Sequence, residues 1–437
     1  MNIYIVSIAG KMTAPLAVEL KNLGQNVMGS DQLSIYPPIS TLLAKNHIPV
    51  NTNQISSKID LAIIGSSYQK FSNTRKDYQR ILKLKIPYIS ATKYLAQNLV
   101  KSNSIIVAGS FGKTTISGLL SLILINAKLN PSYFVGDVLL NKIPSLKITN
   151  SSWSVIEGDE SINGLDSQAK FLYYPIKYVI ITSTNWEHTD SYHSLTENLN
   201  AYKKLIKSIP KDGALVYNPD DINLVNLTKF CHSPTIAYNN KLKFKTSLIG
   251  LYNQQNIQAA YTLAQFLKIP QNIIQKSIES YKGVNRRLQN LGTFGKITFI
   301  DDFAQSPPRI KSALKAISDT FVKQKIIVFF EPHASFLQNK ATISLLKSAF
   351  QKADQVILAK IIYKKDANNS LRLTFKDFKQ ALGSKVIYLP LYDQIYDYIT
   401  INLPVNSVLI HMSSGGAIGI KTFSKIINYF KNKPLKG

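Results

Sequence analysis

The sequence predicts an α/β protein of three domains, each built on a mostly parallel sheet. Three observations indicate this class. Short apolar strand patterns alternate with helical patterns at the start of the chain and again from about residue 290 onward. Between these regions, a β-branched strand pattern at residues 105–107 continues through a glycine loop into an apolar helical pattern. A chain of 437 residues is also too long for one typical core.

The glycine loop is the strongest single pattern in the chain. Its sequence, Gly109-Ser-Phe-Gly-Lys-Thr-Thr115, stands between a strand and a helix, and this order is typical of loops that hold phosphate. Backbone N–H groups would face the phosphates, Lys113 would reach the outer ones, and the Thr114 hydroxyl would ligate Mg²⁺. The general pattern has glycine where Val107 stands, so a glycine-rich turn with a solvated lysine is the alternative. We therefore predict nucleotide binding here.

Composition places the protein among globular chains of ordinary hydrophobicity. Hydrophobic residues make up 45% of the chain and charged residues 18%, whereas the formal net charge is +27. The lysines are scattered and form no basic stripe or arm, so we expect no nucleic-acid partner. A positive field still favours anionic substrates such as nucleotides.

Cysteine usage and hydropathy indicate a cytoplasmic protein without a membrane segment. Cys231 is the single cysteine, so no internal disulfide and no paired-cysteine zinc site can form. The first residues enter a strand pattern directly, without the basic and apolar regions of a signal peptide. No apolar run approaches the roughly 20 residues that span a bilayer.

The N-terminal region reads as a Rossmann-like domain. A strand pattern at residues 3–8 leads through Gly10 into a helix and then to Gly29-Ser30-Asp31. A later strand pattern, at residues 61–64, ends in Gly65-Ser66-Ser67, at the sheet edge where such folds place ligands. The lone Gly10 falls short of a dinucleotide fingerprint.

Two further strands of the central region end in polar residues. One leads into Glu157-Gly-Asp-Glu160, and the other leads into a segment that contains His188. Each cluster alone is more typical of a turn or a helix cap. Lysine, threonine, glutamate and histidine delivered to one sheet edge instead favour phosphoryl transfer, which needs cations against the phosphates and carboxylates to hold them.

The last third of the chain predicts another Rossmann-like domain. Asn253 and Asn256 share one face of a helix that follows Gly250. Beyond Arg286 and Arg287, strand patterns end in Asp301-Asp302, in Glu331-Pro-His333 and in a serine–glycine segment at 413–416. These polar strand ends should converge on one crevice. We expect domains at residues 1–100, 101–288 and 289–437.

Together these motifs resemble the Mur ligase family, the ATP-dependent enzymes that build the peptide of bacterial cell-wall precursors. The resemblance rests on the phosphate loop, the 157–160 acids, Asn185-Trp-Glu-His-Thr-Asp190, Tyr252-Asn-Gln-Gln-Asn256, Arg286-Arg287-Leu288 and Asp301-Asp302-Phe303. Two branches that act on UDP-N-acetylmuramate are the most similar, one adding L-alanine and one adding a murein tripeptide. The stretches at 36–41 and 170–175 resemble the tripeptide branch.

The resemblance implies an ATP-dependent amide ligase that works through an acyl phosphate, with ATP and Mg²⁺ as cofactors. Lys113, Glu157, His188 and Lys203 would be catalytic. Thr114 and Glu157 would hold one Mg²⁺ and His188 a second, and Lys203 would be either a carbamylated metal ligand or a solvated lysine. The implied ATP-binding residues are Gly109, Ser110, Phe111, Gly112, Lys113, Thr114, Thr115, Asn253, Asn256, Arg287 and Asp302. The implied UDP-sugar-binding residues are Gly10, Ser30, Asp31, Ser66 and Ser67.

Some positions depart from these two branches. Relatives usually have histidine at Phe111, aspartate at Glu187, a histidine pair at Gln305-Ser306 and an arginine near His333. These changes leave the phosphoryl apparatus intact and leave the amino substrate open. Two alternatives remain: folylpolyglutamate-synthase-like chemistry, which lacks an N-terminal domain like residues 1–100, and a non-catalytic nucleotide-binding protein. We expect small-molecule substrates and a monomer or weak homodimer.

Overall fold

The computed structural model describes residues 1–35, 38–51, 55–166, 168–186, 191–239, 242–332, 337, 343–363, 372–413 and 417–432. Strands and helices alternate through these ranges, so the α/β class predicted from the sequence is confirmed. The chain separates into two compact units, the first formed by Met1–Ser247 with Asn253–Val284 and the second by Leu248–Tyr252 with Asn285–Gly437. The three domain boundaries predicted from the sequence stay a prediction.

The first unit contains two sheets. The N-terminal sheet has four parallel strands in the order β2-β1-β3-β4. Its elements are β1 (Asn2–Val6), α1 (Thr13–Asn22), β2 (Asn26–Ser30), α2 (Ile39–Lys45), β3 (Leu61–Ile64), α3 (Ser72–Lys83), β4 (Tyr88–Ser90) and α4 (Ala91–Asn98). Apolar residues alternate between its two faces, so one face packs on α1 and α4 while Tyr4, Val6 and Ile81 form a core on the other.

The second sheet of this unit has seven strands in the order β11-β10-β9-β5-β8-β6-β7, and only β7 runs antiparallel to its neighbour. Its strands are β5 (Asn103–Ala108), β6 (Ser132–Phe134), β7 (Leu146–Lys147), β8 (Trp153–Glu157), β9 (Tyr178–Ile181), β10 (Ala214–Tyr217) and β11 (Thr235–Ala237). Its helices are α5 (Lys113–Asn126), α6 (Leu195–Lys207), α7 (Ile222–Thr228), α8 (Leu251–Phe266) and α9 (Gln271–Ser280). Helix α5 is apolar around most of its circumference, since residues 116–124 are all buried.

The second unit holds a six-stranded sheet in the order β12-β13-β17-β14-β15-β16, in which only β12 is antiparallel. Its strands are β12 (Gln289–Phe294), β13 (Ile297–Asp302), β14 (Lys325–Glu331), β15 (Gln355–Leu358), β16 (Val386–Tyr388) and β17 (Ser407–Ser413). Its helices are α10 (Pro307–Thr320), α11 (Ile343–Ala349), α12 (Phe375–Leu382), α13 (Tyr392–Asn402) and α14 (Ala417–Asn432).

Helices cover both faces of this sheet. Apolar side chains of α10, α11 and α12 form the core on one face, and those of α13 and α14 form the core on the other. Strand β17 lies between β13 and β14, whose following helices lie on the opposite face from α14. The carboxyl ends of these three strands therefore border topological switch points, where open α/β sheets bind ligands.

Within the ranges given above, no helix is long and apolar enough to cross a membrane.

Candidate active site

The phosphate loop connects β5 to α5 in the seven-stranded sheet, as the sequence predicts. Gly109 has φ +116° and Gly112 has φ +78°, both in the region that side-chain-bearing residues rarely adopt. A Cβ at Gly109 would stand 2.2 Å from the Thr182 hydroxyl oxygen, and one at Gly112 would stand 2.1 Å from Asn256 Oδ1. Conformation therefore requires glycine at both positions, and space requires it at Gly109, where the backbone nitrogens of Thr182 and Ser183 would also lie 2.8 Å from the Cβ.

Hydrogen bonds from the neighbouring strand β9 and its following segment fix the same loop. The Ser110 hydroxyl donates to the Asn185 carbonyl at 2.6 Å, and the Thr182 hydroxyl donates to the Phe111 carbonyl at 2.5 Å. The Ser110 N–H donates to the Ser183 hydroxyl at 3.2 Å. These contacts hold the loop's shape before any ligand arrives, which lowers the entropic cost of binding.

Lys113 is the first residue of α5 and bends back over the loop. Its ammonium donates to the Gly109 carbonyl at 2.6 Å and to Glu160 Oε2 at 2.9 Å. Burial alone would lower the pKa of Lys113, but the Glu160 and Glu157 carboxylates outweigh it and raise that pKa above its ordinary value. Lys113 therefore stays positively charged at the mouth of the phosphate loop.

Glu157, at the end of β8, stands beside the first turn of α5. Its carboxylate accepts from the Thr114 hydroxyl at 3.1 Å and from the Gly136 N–H at 2.7 Å. Burial raises the pKa of Glu157 above its usual range, against the opposing attraction of Lys113. A hydroxyl and a carboxylate side by side are the hard oxygen ligands that Mg²⁺ prefers, so these two residues fit the ion.

The segment 157–160, which we call the acidic turn, is held by two lysines. Lys170 donates to Asp159 Oδ2 and to the Ser161 hydroxyl, each at 2.7 Å, and lowers the pKa of Asp159 even though burial acts to raise it. With all groups ionised, the three carboxylates exceed Lys113 and Lys170 by one negative charge. The excess favours a bound cation.

Within the described part of the chain, no three His, Cys, Asp or Glu side chains are grouped so that they could hold a metal ion. A magnesium ion at Thr114 and Glu157 would complete its shell with phosphate and water oxygens, which is its usual mode of binding in phosphoryl-transfer sites.

A second polar cluster lies at the carboxyl ends of β13, β17 and β14 in the other unit. His411 is fully buried, with Nδ1 3.1 Å from Asp301 Oδ1 and Nε2 2.7 Å from Glu331 Oε2. The Arg286 Nε–H donates to Asp301 at 2.9 Å, and the Tyr392 hydroxyl donates to Glu331 at 2.6 Å. We call these five residues the histidine cluster.

Geometry and charge indicate that His411 is protonated. Both ring nitrogens face carboxylates, which can only accept, so both must donate. Burial acts to lower the pKa of His411, but its bonds to Asp301 and Glu331 raise it, and burial acts to raise the pKa of Glu331, but its bond to His411 lowers it. With Arg286 and His411 positive and two carboxylates negative, the cluster is neutral overall.

Asp302, next to this cluster, accepts hydrogen bonds from backbone N–H groups. Its two carboxylate oxygens accept from the Leu288 N–H at 2.6 Å and the Ala304 N–H at 2.7 Å, and burial raises its pKa. The Arg287 guanidinium lies 5.8 Å from the centre of the Phe303 ring. The ATP contacts implied for Asp302 and Arg287 stay predictions.

With this geometry established, comparison with known proteins gives one family. Residues 107–241 match the Mur ligase middle domain. The chain therefore contains a Mur ligase middle domain. It is accordingly an ATP-dependent carboxylate–amine ligase of the ADP-forming type, and the resemblance drawn from the sequence motifs is confirmed.

Two curated relatives align with most of this chain. A UDP-N-acetylmuramate–L-alanine ligase from Pelagibacter ubique is 29% identical over 410 residues, which span 86% of this chain and 85% of the relative. A UDP-N-acetylmuramate–L-alanyl-γ-D-glutamyl-meso-2,6-diaminoheptandioate ligase from Escherichia coli is 27% identical over 390 residues, spanning 82% and 84%.

Solved structures show the same fold. The UDP-N-acetylmuramate–alanine ligase of Thermotoga maritima aligns with a TM-score of 0.78 at 21% identity and covers 99% of both chains. A murein peptide ligase from Psychrobacter arcticus aligns with a TM-score of 0.64 at 20% identity, again over 99% of both. The three-domain α/β architecture expected from the motifs is confirmed by these neighbours.

The structure brings some of the predicted ATP-binding residues together. Asn256 lies against Gly112 and donates to Asn253 Oδ1 at 3.2 Å, so both asparagines of α8 stand at the phosphate loop. Thr115 follows Lys113 and Thr114 in the first turn of α5. Phe111, at the tip of the loop, leaves 41% of its surface exposed.

Lys203 has a different environment from the one a metal ligand needs. Its ammonium lies 4.0 Å from the centre of the Phe230 ring, and the ammonium groups of Lys207 and Lys229 also lie over that ring, at 5.5 and 5.4 Å. A cation–π contact of this kind stabilises the charged amine. Carbamylation of Lys203 stays a prediction. His188 and Glu187 lie outside the described residues, as does His333.

The residues implied for the UDP-sugar lie at the carboxyl edge of the four-stranded sheet. Asp31 accepts from the Ala9 and Gln32 N–H groups, each at 2.7 Å, and so fixes the turn that contains Gly10. Ser30 ends β2, and Ser66 and Ser67 follow β3. Gly164, which follows the acidic turn, packs on the Ser66 backbone, where a Cβ would stand 2.5 Å from the carbonyl oxygen. Their role in binding the sugar nucleotide stays a prediction.

Sequence reasoning did not find the histidine cluster or the partners of Lys113 and Lys170. One signal for the cluster was available. A histidine in the apolar strand β17 and the aspartate that precedes Asp302 both point to the same sheet face, because Asp301 and His411 are register partners on adjacent strands.

Proposed function

We propose that this Mur ligase joins an amine to the lactyl carboxylate of UDP-N-acetylmuramate, with the murein tripeptide L-alanyl-γ-D-glutamyl-meso-diaminopimelate as the amino substrate. The observation that carries the proposal is the arrangement of Lys113, Thr114, Glu157 and Glu160 around one glycine loop. It supplies a fixed cation and two oxygen ligands where a nucleotide's outer phosphates would bind.

The chemistry has two steps. A carboxylate oxygen of the substrate attacks the γ-phosphorus of ATP, the bond to the β–γ bridging oxygen breaks, and ADP leaves. The amine then attacks the acyl carbon of the resulting acyl phosphate, phosphate leaves, and the amine loses a proton. Lys113 would neutralise charge on the transferred phosphoryl group, and Mg²⁺ at Thr114 and Glu157 would supply further neutralisation.

Two stretches support the tripeptide as amino substrate. Residues 36–41 and 170–175 resemble the tripeptide branch, and the Escherichia coli relative is named for that substrate. Lys170, from the second stretch, binds Asp159 and so supports the acidic turn.

L-Alanine is the second candidate. The relatives named for L-alanine include the one from Pelagibacter ubique and another from Wigglesworthia glossinidia brevipalpis, which is 27% identical over 95% of this chain. The described residues of the second unit present few cationic side chains at the strand ends for a tripeptide's additional carboxylates, since Arg286 is already paired with Asp301.

A ligase assay decides between them. Purified protein with ATP, Mg²⁺ and UDP-N-acetylmuramate is offered L-alanine, L-alanyl-D-glutamate or the tripeptide separately, and product mass and ADP release are measured. We expect the highest kcat/KM with the tripeptide. A higher kcat/KM with L-alanine would assign the protein to the other branch, and no product from any donor would support a non-catalytic nucleotide-binding protein.

A further inference from the structure

The starting observation is that Lys113 already has an anionic partner in the ligand-free site. Its ammonium lies 2.9 Å from Glu160 Oε2, and only 14% of the Lys113 side chain and 2% of the Glu160 side chain are exposed. A charge-assisted hydrogen bond so well shielded from water is stronger than a surface ion pair. A nucleotide phosphate must compete with Glu160 for this ammonium.

Neighbouring contacts fix the backbone that carries Glu160. Its backbone carbonyl accepts from the Tyr192 hydroxyl at 2.5 Å. The neighbouring Asp159 is fixed by Lys170 and accepts from the Ser161 N–H at 2.9 Å. Lys113 has four rotatable side-chain bonds and starts at a helix N-terminus beside open glycine backbone. The lysine therefore has the longer reach of the two side chains, while the backbone that carries the glutamate is held in place.

We propose that Glu160 is a positioning residue that takes Lys113 back between turnovers and thereby speeds the release of ADP. The inference rests on the proposed function, because it requires ATP to bind at the phosphate loop. With ATP present, the terminal phosphate replaces Glu160 as the partner of Lys113. After phosphoryl transfer ADP has lost that phosphate, and Glu160 competes for the lysine again.

The chain offers a matched control in the same turn. Asp159 is one residue away, carries the same charge and is also paired with a lysine, but that lysine is Lys170. Asp159→Asn removes one negative charge near the nucleotide without removing the partner of Lys113. Any effect of Glu160→Gln beyond that of Asp159→Asn is therefore specific to the Lys113 pair.

The experiment measures ADP directly and needs no ligase activity. Equilibrium titration with Mg²⁺-ADP and stopped-flow dissociation of a fluorescent ADP analogue are carried out on the full chain. We expect Glu160→Gln to bind ADP about tenfold more tightly, with correspondingly slower dissociation, since it removes one charge-assisted competitor. Asp159→Asn should change the ADP affinity less than about threefold. On a Lys113→Ala background, Glu160→Gln should lose its effect.

Each other outcome overturns the proposal. Unchanged or weaker ADP binding by Glu160→Gln would mean that the glutamate is not a competitor. Equal tightening by Glu160→Gln and Asp159→Asn would mean a general charge effect. If thermal melts show that Glu160→Gln is unfolded, Glu160→Asp carries the test, since it keeps the charge with a shorter reach and should tighten ADP binding about threefold. No ADP binding by the wild-type protein would overturn the proposed function as well.

Discussion

Two groups of charged side chains can be compared: the phosphate loop with its acidic turn, and the histidine cluster. They differ in how their charges are balanced. Both gather charged side chains at the carboxyl ends of parallel strands, in separate sheets. Around the phosphate loop, Lys113 is partly exposed, glycines replace side chains, and carboxylates exceed lysines by one. In the histidine cluster, His411 has no exposed surface and packs against the Phe329 and Phe423 rings, at 4.7 and 4.9 Å between centres.

This difference indicates two roles. The site at the phosphate loop can exchange one charged partner for another, whereas the histidine cluster stabilises the fold. Around the phosphate loop the charges do not balance within the site when all groups are ionised, and ligands can reach it. The histidine cluster is neutral, and every charge in it has a hydrogen-bonded partner, so nothing further is needed for its stability. The cluster is connected to other parts of the unit through Arg286, which also donates to the Ser413 carbonyl at 2.7 Å. This hydrogen bond joins β17 to the segment before β12.

The largest expected effect comes from breaking the histidine cluster. His411→Leu would leave Asp301 and Glu331 facing an apolar side chain at 11% exposure each, and removing one partner of a buried ion pair costs about 3–5 kcal/mol. The loss of unfolding free energy would be measured by urea denaturation and, in a separate experiment, by hydrogen exchange of the β17 amides. Tyr392→Phe is the control, because it removes only one neutral donor from Glu331 and should cost about 1 kcal/mol. Equal losses in the two variants would contradict a charge-based role for His411.

Removing the cation of the phosphate loop should affect turnover and leave the fold intact. Lys113→Ala is expected to lower kcat by about 10² to 10³, as is usual when one preorganised charge is lost from a site of phosphoryl transfer. The variant should stay folded, because the phosphate loop keeps its hydrogen bonds from Ser110 and Thr182, but it should melt at a lower temperature than the wild-type protein, because the buried Glu160 loses its cationic partner. Lys315→Ala, at an exposed ion pair with Asp319, is the control and should retain full activity. Near-normal turnover by Lys113→Ala would mean that the phosphate loop is not part of the active site.

The features that could be predicted from the sequence are those whose residues lie close together along the chain. The phosphate loop is local: strand, glycines, lysine and threonine occur within a dozen residues, and each position has a direct backbone reason for its residue type. Glu157 was predicted because it ends a strand, and strand ends of one parallel sheet meet at one edge.

The pairings within that edge depend on tertiary packing. Lys113 and Glu160 are 47 residues apart, and His411 is 110 residues from Asp301 and 80 from Glu331. Both predicted aspartates, Asp301 and Asp302, belong to the same strand end, yet one binds a histidine and the other two backbone N–H groups. Alternation along β13 places the two aspartates on opposite faces of the sheet, but the sequence alone does not show which groups each face contacts.

The smallest expected effect is the pH dependence that distinguishes the two regions. Because the pKa of His411 is raised in the folded protein, its contribution to stability is complete below its unfolded value of about 6.5 and is lost as pH rises through the raised value. Because the pKa of Glu331 is lowered, its contribution is present above about 4.5 and is lost as pH falls through the lowered value.

The stability difference between the wild-type protein and His411→Leu should therefore be largest between about pH 4.5 and 6.5. Above that window it should shrink, by at most about 1.4 kcal/mol per pH unit. Carboxyls that do not contact His411, such as Asp302, are common to both proteins, so their titration largely cancels in the difference. Hydrogen exchange of the β17 amides, compared between the two proteins at each pH, reports on the second unit alone. A difference that rises as pH approaches 6.5 from below and then stays level would mean that His411 is neutral in the folded protein, and that its two carboxylate contacts do not depend on its charge.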